Sequence, residues 1–181
     1  PEVEAACAGT FDTSATDDPL TLTVDGTRAI FRGLIDSSTP QKVTDLINNN
    51  PEVKTIVMAY GPGSEDDEAN LAASKMVYEA GFATCVPDNG EIASGATDFF
   101  LAGVVRRFSS SSFIGVHSWA SGSIEGSSLP RTDPEHQSYL NFYTAIGVNP
   151  EFYWFTLQAA PAAGMHNMTS QERIDWAIAK P

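Results

Sequence analysis

The sequence has few basic residues. Ten lysines and arginines stand against 23 aspartates and glutamates, and the 181 residues carry a formal net charge of −13. Proteins that bind nucleic acid neutralise its phosphates with lysine and arginine, so this balance argues against a nucleic-acid partner. It argues more weakly against other polyanions such as coenzyme A. The length fits one domain, and 42% hydrophobic residues are enough for a globular core.

Long apolar runs are also absent. The longest, Thr55–Tyr60, is far too short to span a bilayer, and the first ten residues lack the basic start and apolar stretch of a signal peptide. Because a chain that begins at Pro1 can be a mature form, we expect a periplasmic or secreted protein, with a cytoplasmic protein as the alternative. Metal and cofactor sites are not expected, since no helical i, i+4 pairing with a carboxylate partner involves His117, His136 or His166.

Cysteine is scarce too, with only Cys7 and Cys85 present. The two residues allow one disulfide that would tie down the N-terminal segment, and they equally allow two unrelated free thiols. A composition low in lysine and rich in serine and threonine is typical of exported chains, where disulfides form. Both alternatives stay open from the sequence.

The pattern of apolar residues predicts the fold class. Residues 1–19 are polar and are interpreted as an irregular N-terminal arm in front of a single domain, residues 20–181. Alternating or continuous apolar runs predict strands at 20–24, 27–31, 54–60, 82–86 and 113–117. Helical periodicity and capping signals predict helices at 40–49, 69–80 and 94–102, and further helices that begin near 134, 149 and 169. This alternation indicates an α/β fold with a mainly parallel sheet flanked by helices.

Three short segments follow predicted strands, where ligands bind in parallel sheets. They are the turn Gly61–Ser64, Ser94 at a strand-to-helix junction, and His117 at the end of an apolar strand. Together they can form an acyl-transfer site in which the serine attacks, the histidine takes its proton and backbone N–H groups hold the oxyanion. Each segment alone is explained equally well as a turn, a helix cap or a structural histidine. The hydrolase motif G-x-S-x-G is not matched, because its glycine positions hold Ile92 and Ala96.

The order and spacing of five segments resembles the proteolytic subunits of Clp proteases, within the Clp/crotonase superfamily. The segments are Ile30–Asp36, Tyr60–Ser64, Ile92–Gly95, Ile114–His117 and Met168–Glu172. The similarity is closest to uncharacterised exported Clp-protease-like periplasmic proteins and covers about residues 28–180. It implies a Clp/crotonase-like fold of repeated β-β-α units, hydrolysis of peptides, and assembly into a homo-oligomer.

The resemblance also implies roles for single residues. Ser94 matches the nucleophile and His117 the general base, while Gly63 and Gly95 match the two backbone donors of the oxyanion hole. The family places an aspartate just before the segment that begins at Met168, and this sequence has none there.

The missing aspartate leaves the third member of the triad open. Asn167 is the residue that we expect to orient His117, since asparagine has this role in other hydrolases. His166, Asp98 and Asp133 are alternatives, as is a dyad that is slow or inactive.

Three functions remain in competition. The first is a serine hydrolase of the Clp type that acts on a peptide or a small acyl substrate. The second is a catalytically inactive relative that serves as a binding or scaffold module, which the missing aspartate favours. The third, an acyl-CoA enzyme of the crotonase type, is disfavoured by the net charge of −13.

Overall fold

The structure is a computed structural model that describes residues 1–181. Seven α-helices are present: α1 (Glu2–Cys7), α2 (Thr39–Asn49), α3 (Asp67–Glu79), α4 (Gly95–Leu101), α5 (Gln137–Ala145), α6 (Glu151–Ala159) and α7 (Ser170–Asp175). The ten strands are β1 (Thr21–Asp25), β2 (Arg28–Arg32), β3 (Thr55–Gly61), β4 (Ala83–Val86), β5 (Glu91–Ala93), β6 (Arg106–Phe108), β7 (Phe113–Val116), β8 (Ala120–Ser121), β9 (Ile124–Glu125) and β10 (His166–Asn167). Two 3₁₀ turns, Gly126–Ser128 and Pro134–His136, precede α5. No helix has both the length and the apolar character needed to cross a bilayer.

Eight strands form one sheet in which β3 is the branch point. The main path runs β1-β2-β3-β5-β7-β10, and a side branch adds β4 beside β3 and β6 beside β4. The first half of β3 pairs with β4, and its last two residues, Tyr60 and Gly61, pair with β5. Pairing is parallel throughout except at the two ends of the main path, β1-β2 and β7-β10. The predicted α/β fold with a mainly parallel sheet flanked by helices is therefore confirmed.

Local sequence signals explain the elements that lead to the site. All seven residues of β3 are buried, as expected for a continuous apolar run between two layers of helices. Asp66 caps α3 by accepting a hydrogen bond from the backbone N–H of Ala69 at 2.9 Å. At α7, Thr169 and Glu172 form the predicted capping box.

The N-terminal segment is partly helical, which the expectation of an irregular arm missed. Residues Glu2–Cys7 form α1, and Cys7 is joined to Cys85 on β4 by a disulfide with the two Cα atoms 6.1 Å apart. Glu4 pairs with Arg107 on β6 at 2.5 Å. The first helix is thus fastened to the side branch of the sheet by one covalent bond and one ion pair.

Two buried arginines attach the C-terminal segment to the sheet. Arg106 on β6 donates to the carbonyl oxygens of Ile178 at 2.8 Å and Ala177 at 3.0 Å, and burial lowers the pKa of its guanidinium to about 10. Arg173 on α7 donates to the carbonyl oxygen of Ser112 at 2.9 Å. Residues 173–178 are therefore held against β6 and the loop that follows it.

Candidate functional site

Ser94 occupies the junction between β5 and α4 with strained backbone geometry. Its φ of 54° and ψ of −125° lie in a region of backbone conformation that is disfavoured for every residue except glycine. Its backbone N–H donates to the carbonyl oxygen of Gly115 at 3.0 Å, and the hydroxyl of Thr97 donates to the same oxygen at 2.8 Å. These contacts to β7 keep the turn sharp and direct the Ser94 hydroxyl away from the sheet, as in the strand-to-helix turns of serine hydrolases.

His117 follows β7 directly and reaches the Ser94 hydroxyl. The distance from His117 Nε2 to Ser94 Oγ is 2.8 Å. The other ring nitrogen, Nδ1, lies 3.1 Å from the carbonyl oxygen of Ala162 and 2.9 Å from that of Gly164. Since carbonyl oxygens only accept hydrogen bonds, Nδ1 carries the proton and Nε2 is left to accept from Ser94. The ring therefore holds the tautomer that a general base requires.

Gly63 and Gly95 both lie close to Ser94. Gly63 has a φ of +144°, and a Cβ built on it would lie 3.3 Å from the Cβ of Ser94. Its N–H donates no hydrogen bond within the chain. Gly95 is the first residue of α4, so its N–H has no acceptor one turn earlier in the helix. Its packing is equally tight, because an added Cβ would lie 2.6 Å from the Cβ of Ser64. The two residues that adjoin Ser94 thus each have a backbone N–H with no acceptor in the chain.

Asn167 does not orient His117, contrary to the expectation from the sequence. Its side-chain oxygen accepts from the backbone N–H of Ile114 at 3.1 Å and from Arg173 at 3.0 Å. These two hydrogen bonds occupy both lone pairs of the side-chain oxygen of Asn167. The side chain therefore holds β7 and α7 and does not contact the imidazole. The third position behind the imidazole is filled by main-chain carbonyls.

The alternatives to Asn167 are also engaged elsewhere. The imidazole of His166 lies 2.7 Å from the carboxylate of Glu172. Asp133 caps a 3₁₀ turn by accepting from the backbone N–H of Glu135. Asp98 accepts a short hydrogen bond from the hydroxyl of Tyr143. No carboxylate contacts the His117 ring, so the hydrogen-bonded unit is a serine-histidine pair with carbonyl support.

Two cavities meet at this pair. An open cleft of about 340 Å³ runs over Gly63, Ser94 and His117 toward Leu34 and Ala120. An inner cavity of about 40 Å³ also borders the pair. Its lining includes two carboxylates, three phenol rings and an indole, from Asp67, Asp98, Tyr139, Tyr143, Tyr153 and Trp119. The Ser94 hydroxyl is therefore reachable from the cleft and borders a small acidic and aromatic interior.

Burial dominates the electrostatics of the inner cavity. Loss of solvent raises the pKa of Asp98 to about 7, and the neighbouring Asp67 carboxylate adds to this, while the bond from Tyr143 acts in the opposite direction. Burial likewise raises the pKa of Tyr153 to about 12. The hydroxyl of Tyr139 donates to Asp67 at 2.5 Å. The carboxylates are held by phenol donors, and no cation neutralises them.

No group of three or more histidine, cysteine, aspartate or glutamate side chains lies close enough to hold a metal ion. The arrangement around Ser94 can instead perform covalent catalysis by its own side chains and backbone. A hydroxyl, a correctly protonated imidazole and two backbone donors are the parts that acyl transfer requires.

Comparison with solved structures shows which proteins share this fold. The chain is similar to 1510-N membrane-bound stomatin-specific protease in two solved forms. One has a lysine replaced by alanine and is in complex with a substrate peptide; here the TM-score is 0.54 at 14% identity, over 81% of this chain and 71% of that one. The other has a serine replaced by alanine, and the TM-score is 0.56 at 14% identity, over 83% and 75%. The chain thus has a Clp-like protease fold.

Sequence comparison adds no closer relative. No protein-family model matches the chain. No curated protein matches it either.

Sequence reasoning singles out the serine, the histidine and the two glycines, and these residues lie close together in the structure. It missed the carbonyl oxygens of Ala162 and Gly164, because every residue carries a carbonyl and no side-chain pattern marks the two that are used. It also missed the pairing of Asp98 with Tyr143. The spacing of Asp98, one helical turn after Ser94, could have placed it beside the hydroxyl.

Proposed function

We propose that this protein is a serine peptidase that uses Ser94 as nucleophile and His117 as general base. The observation that carries the proposal is the 2.8 Å contact between His117 Nε2 and Ser94 Oγ, with the opposite ring nitrogen held by two carbonyls. A histidine that served only the structure would not need its Nε2 aligned with a serine hydroxyl on a strained turn. The Clp-like fold supports the same assignment.

The chemistry follows from the geometry. His117 Nε2 accepts the hydroxyl proton while Ser94 Oγ bonds to the substrate carbonyl carbon, and the carbonyl electron pair moves onto its oxygen. The N–H groups of Gly63 and Gly95 bind that oxygen. When the C–N bond breaks, the imidazolium gives its proton to the leaving amine. A water molecule that His117 activates then releases the acyl group and restores Ser94.

The substrate in this proposal is a peptide or a small acyl compound. The net charge of −13 would repel the phosphates of an acyl-CoA. We assign the chain to the small exported Clp-protease-like proteins, in the periplasm or outside the cell, because a disulfide joins Cys7 to Cys85. Assembly into a homo-oligomer belongs to the same proposal.

Labelling with a fluorophosphonate tests the peptidase assignment. We expect one phosphonyl adduct on Ser94, found by mass spectrometry of the tryptic peptide, and none in Ser94→Ala. The Ser170→Ala variant is the matched control, since Ser170 is an exposed serine on α7 outside the site, and it should be labelled like the unaltered protein. The proposal fails if the folded protein gives no adduct on Ser94. In that case the inactive binding module, which the lack of a carboxylate at His117 favours, replaces it.

A further inference from the structure

Glu125 lies near the site without touching the reacting atoms. It ends β9, the second strand of the hairpin β8-β9, which begins three residues after His117. Its carboxylate accepts a short hydrogen bond from the backbone N–H of Ala162. Glu125 forms no ion pair, so the N–H of Ala162 is the group that its carboxylate binds.

Ala162 is engaged from both sides. Its N–H is bound by Glu125, and its carbonyl oxygen lies 3.1 Å from His117 Nδ1. The second carbonyl at Nδ1 belongs to Gly164, two residues further along the same loop. The position of residues 160–164 therefore decides the orientation of the imidazole.

This loop has few other attachments. The N–H of Ser118 donates to the carbonyl oxygen of Ala160 at 2.9 Å, and the N–H of Gly164 donates to that of Pro161 at 2.9 Å. Apart from His117 itself, Glu125 is the one side chain that hydrogen-bonds to residues 160–164. A hydrogen bond to a carboxylate is about twice as strong as one between neutral groups.

We propose that Glu125 is a positioning residue that takes over the function of the missing triad carboxylate by acting through Ala162, whose N–H it binds and whose carbonyl oxygen holds His117 Nδ1. It fixes the loop whose carbonyls hold His117 Nδ1–H. It also places a negative charge near His117, with only Ala162 between the carboxylate and the imidazole ring. This ring becomes an imidazolium during acylation. The other acidic groups near the ring are Asp67, which lines both cavities, and Asp98, which lines the inner one, and both are held by tyrosine hydroxyls. This inference rests on the proposed peptidase function.

The first test is the rate of phosphonylation of Ser94 in two substitutions of Glu125. Glu125→Ala removes the acceptor for the Ala162 N–H, and we expect the maximal labelling rate to fall by about 10- to 100-fold, as for small misplacements of a catalytic group. The reagent concentration at half-maximal rate should not change, since Glu125 does not contact the reagent. Glu125→Gln keeps the acceptor oxygen and removes the charge, so it should recover part of the rate and label Ser94 faster than Glu125→Ala but more slowly than the unaltered protein. Glu135→Ala, at an exposed glutamate outside the site, is the matched control.

The second test does not depend on activity. The Nδ1 proton of His117 should give a slowly exchanging low-field signal in the proton NMR spectrum of the unaltered protein and of Glu125→Gln. In folded Glu125→Ala we expect the signal to be lost by exchange with water. A Glu125→Ala variant that keeps both the signal and the labelling rate would overturn the inference. If the unaltered protein is not labelled at all, the peptidase proposal fails, and the NMR signal still decides whether Glu125 positions the ring.

Discussion

Replacing Asp98 by asparagine should stabilise the protein by an amount that grows with pH. The folded state raises the pKa of this carboxyl from 3.8 to about 7, mainly because the group is taken out of water. A raised pKa means that the folded state binds the proton more tightly than the unfolded chain. The contribution of Asp98 to stability is therefore fully present below pH 3.8 and is lost as the pH rises to 7.

The size of the effect follows from the displacement of the pKa. Each unit corresponds to 1.36 kcal/mol, so a shift of about three units costs the folded state about 4 kcal/mol above pH 7. Asparagine has no charge to desolvate, and its carbonyl oxygen can still accept the hydrogen bond from Tyr143. The new amide N–H groups change the free energy of unfolding by the same amount at every pH. They therefore do not alter how the difference between the two proteins depends on pH.

Urea denaturation of both proteins at pH 4, 5.5, 7 and 8.5 measures the effect. The difference in unfolding free energy between Asp98→Asn and the unaltered protein should increase by about 4 kcal/mol over this range and level off above pH 7. Groups that titrate in both proteins cancel in the difference. A difference that stays constant with pH would refute the reasoning, because it would show that Asp98 is not desolvated by folding.

Two further substitutions test the oxyanion donor and the disulfide. Gly63→Ala puts a side chain at a φ of +144° and 3.3 Å from the Cβ of Ser94; phosphonylation of Ser94 should slow by about 100-fold, and an unchanged rate in a variant with native circular dichroism would remove Gly63 from the site. Cys7→Ser opens a loop with a sequence separation of 78 residues. The free energy of unfolding should fall by about 4 kcal/mol, and dithiothreitol should lower the unaltered protein to the same value; equal urea midpoints without reductant would contradict this.

The main elements could be predicted because each carries a local signal. The strand around Thr55–Gly61 has an uninterrupted apolar run, and the helix over Thr39–Asn49 has a proline at its start and a regular apolar stripe. Helix α1 has neither signal, since no residue in Glu2–Cys7 is buried. It is fastened from outside, by the disulfide to Cys85 and the pair between Glu4 and Arg107, and such long-range contacts leave no periodic trace in the sequence.

The candidate site divides in the same way. Ser94 and His117 could be located because each follows a strand, and the carboxyl ends of parallel strands lie at one edge of a sheet. The sequence favours Asn167 as the residue that orients His117, because other hydrolases place a side chain behind the imidazole. The structure puts the carbonyl oxygens of the main chain there instead. A main-chain acceptor depends on the path of a loop, and the path of residues 160–164 is set by Glu125 and by residues next to His117. Neither determinant is close to the loop in the sequence.

The backbone of Ser94 bears on whether the site has been kept for activity. Glycine adopts its φ of 54° and ψ of −125° without steric conflict, whereas a side chain in such a region costs of order 1–3 kcal/mol. A chain selected for stability alone would gain by replacing this serine with glycine, since the cost comes from the presence of a side chain and not from the hydroxyl. The serine at this position is the costly choice, and the strained backbone therefore supports the proposal that the Ser94 hydroxyl is the nucleophile.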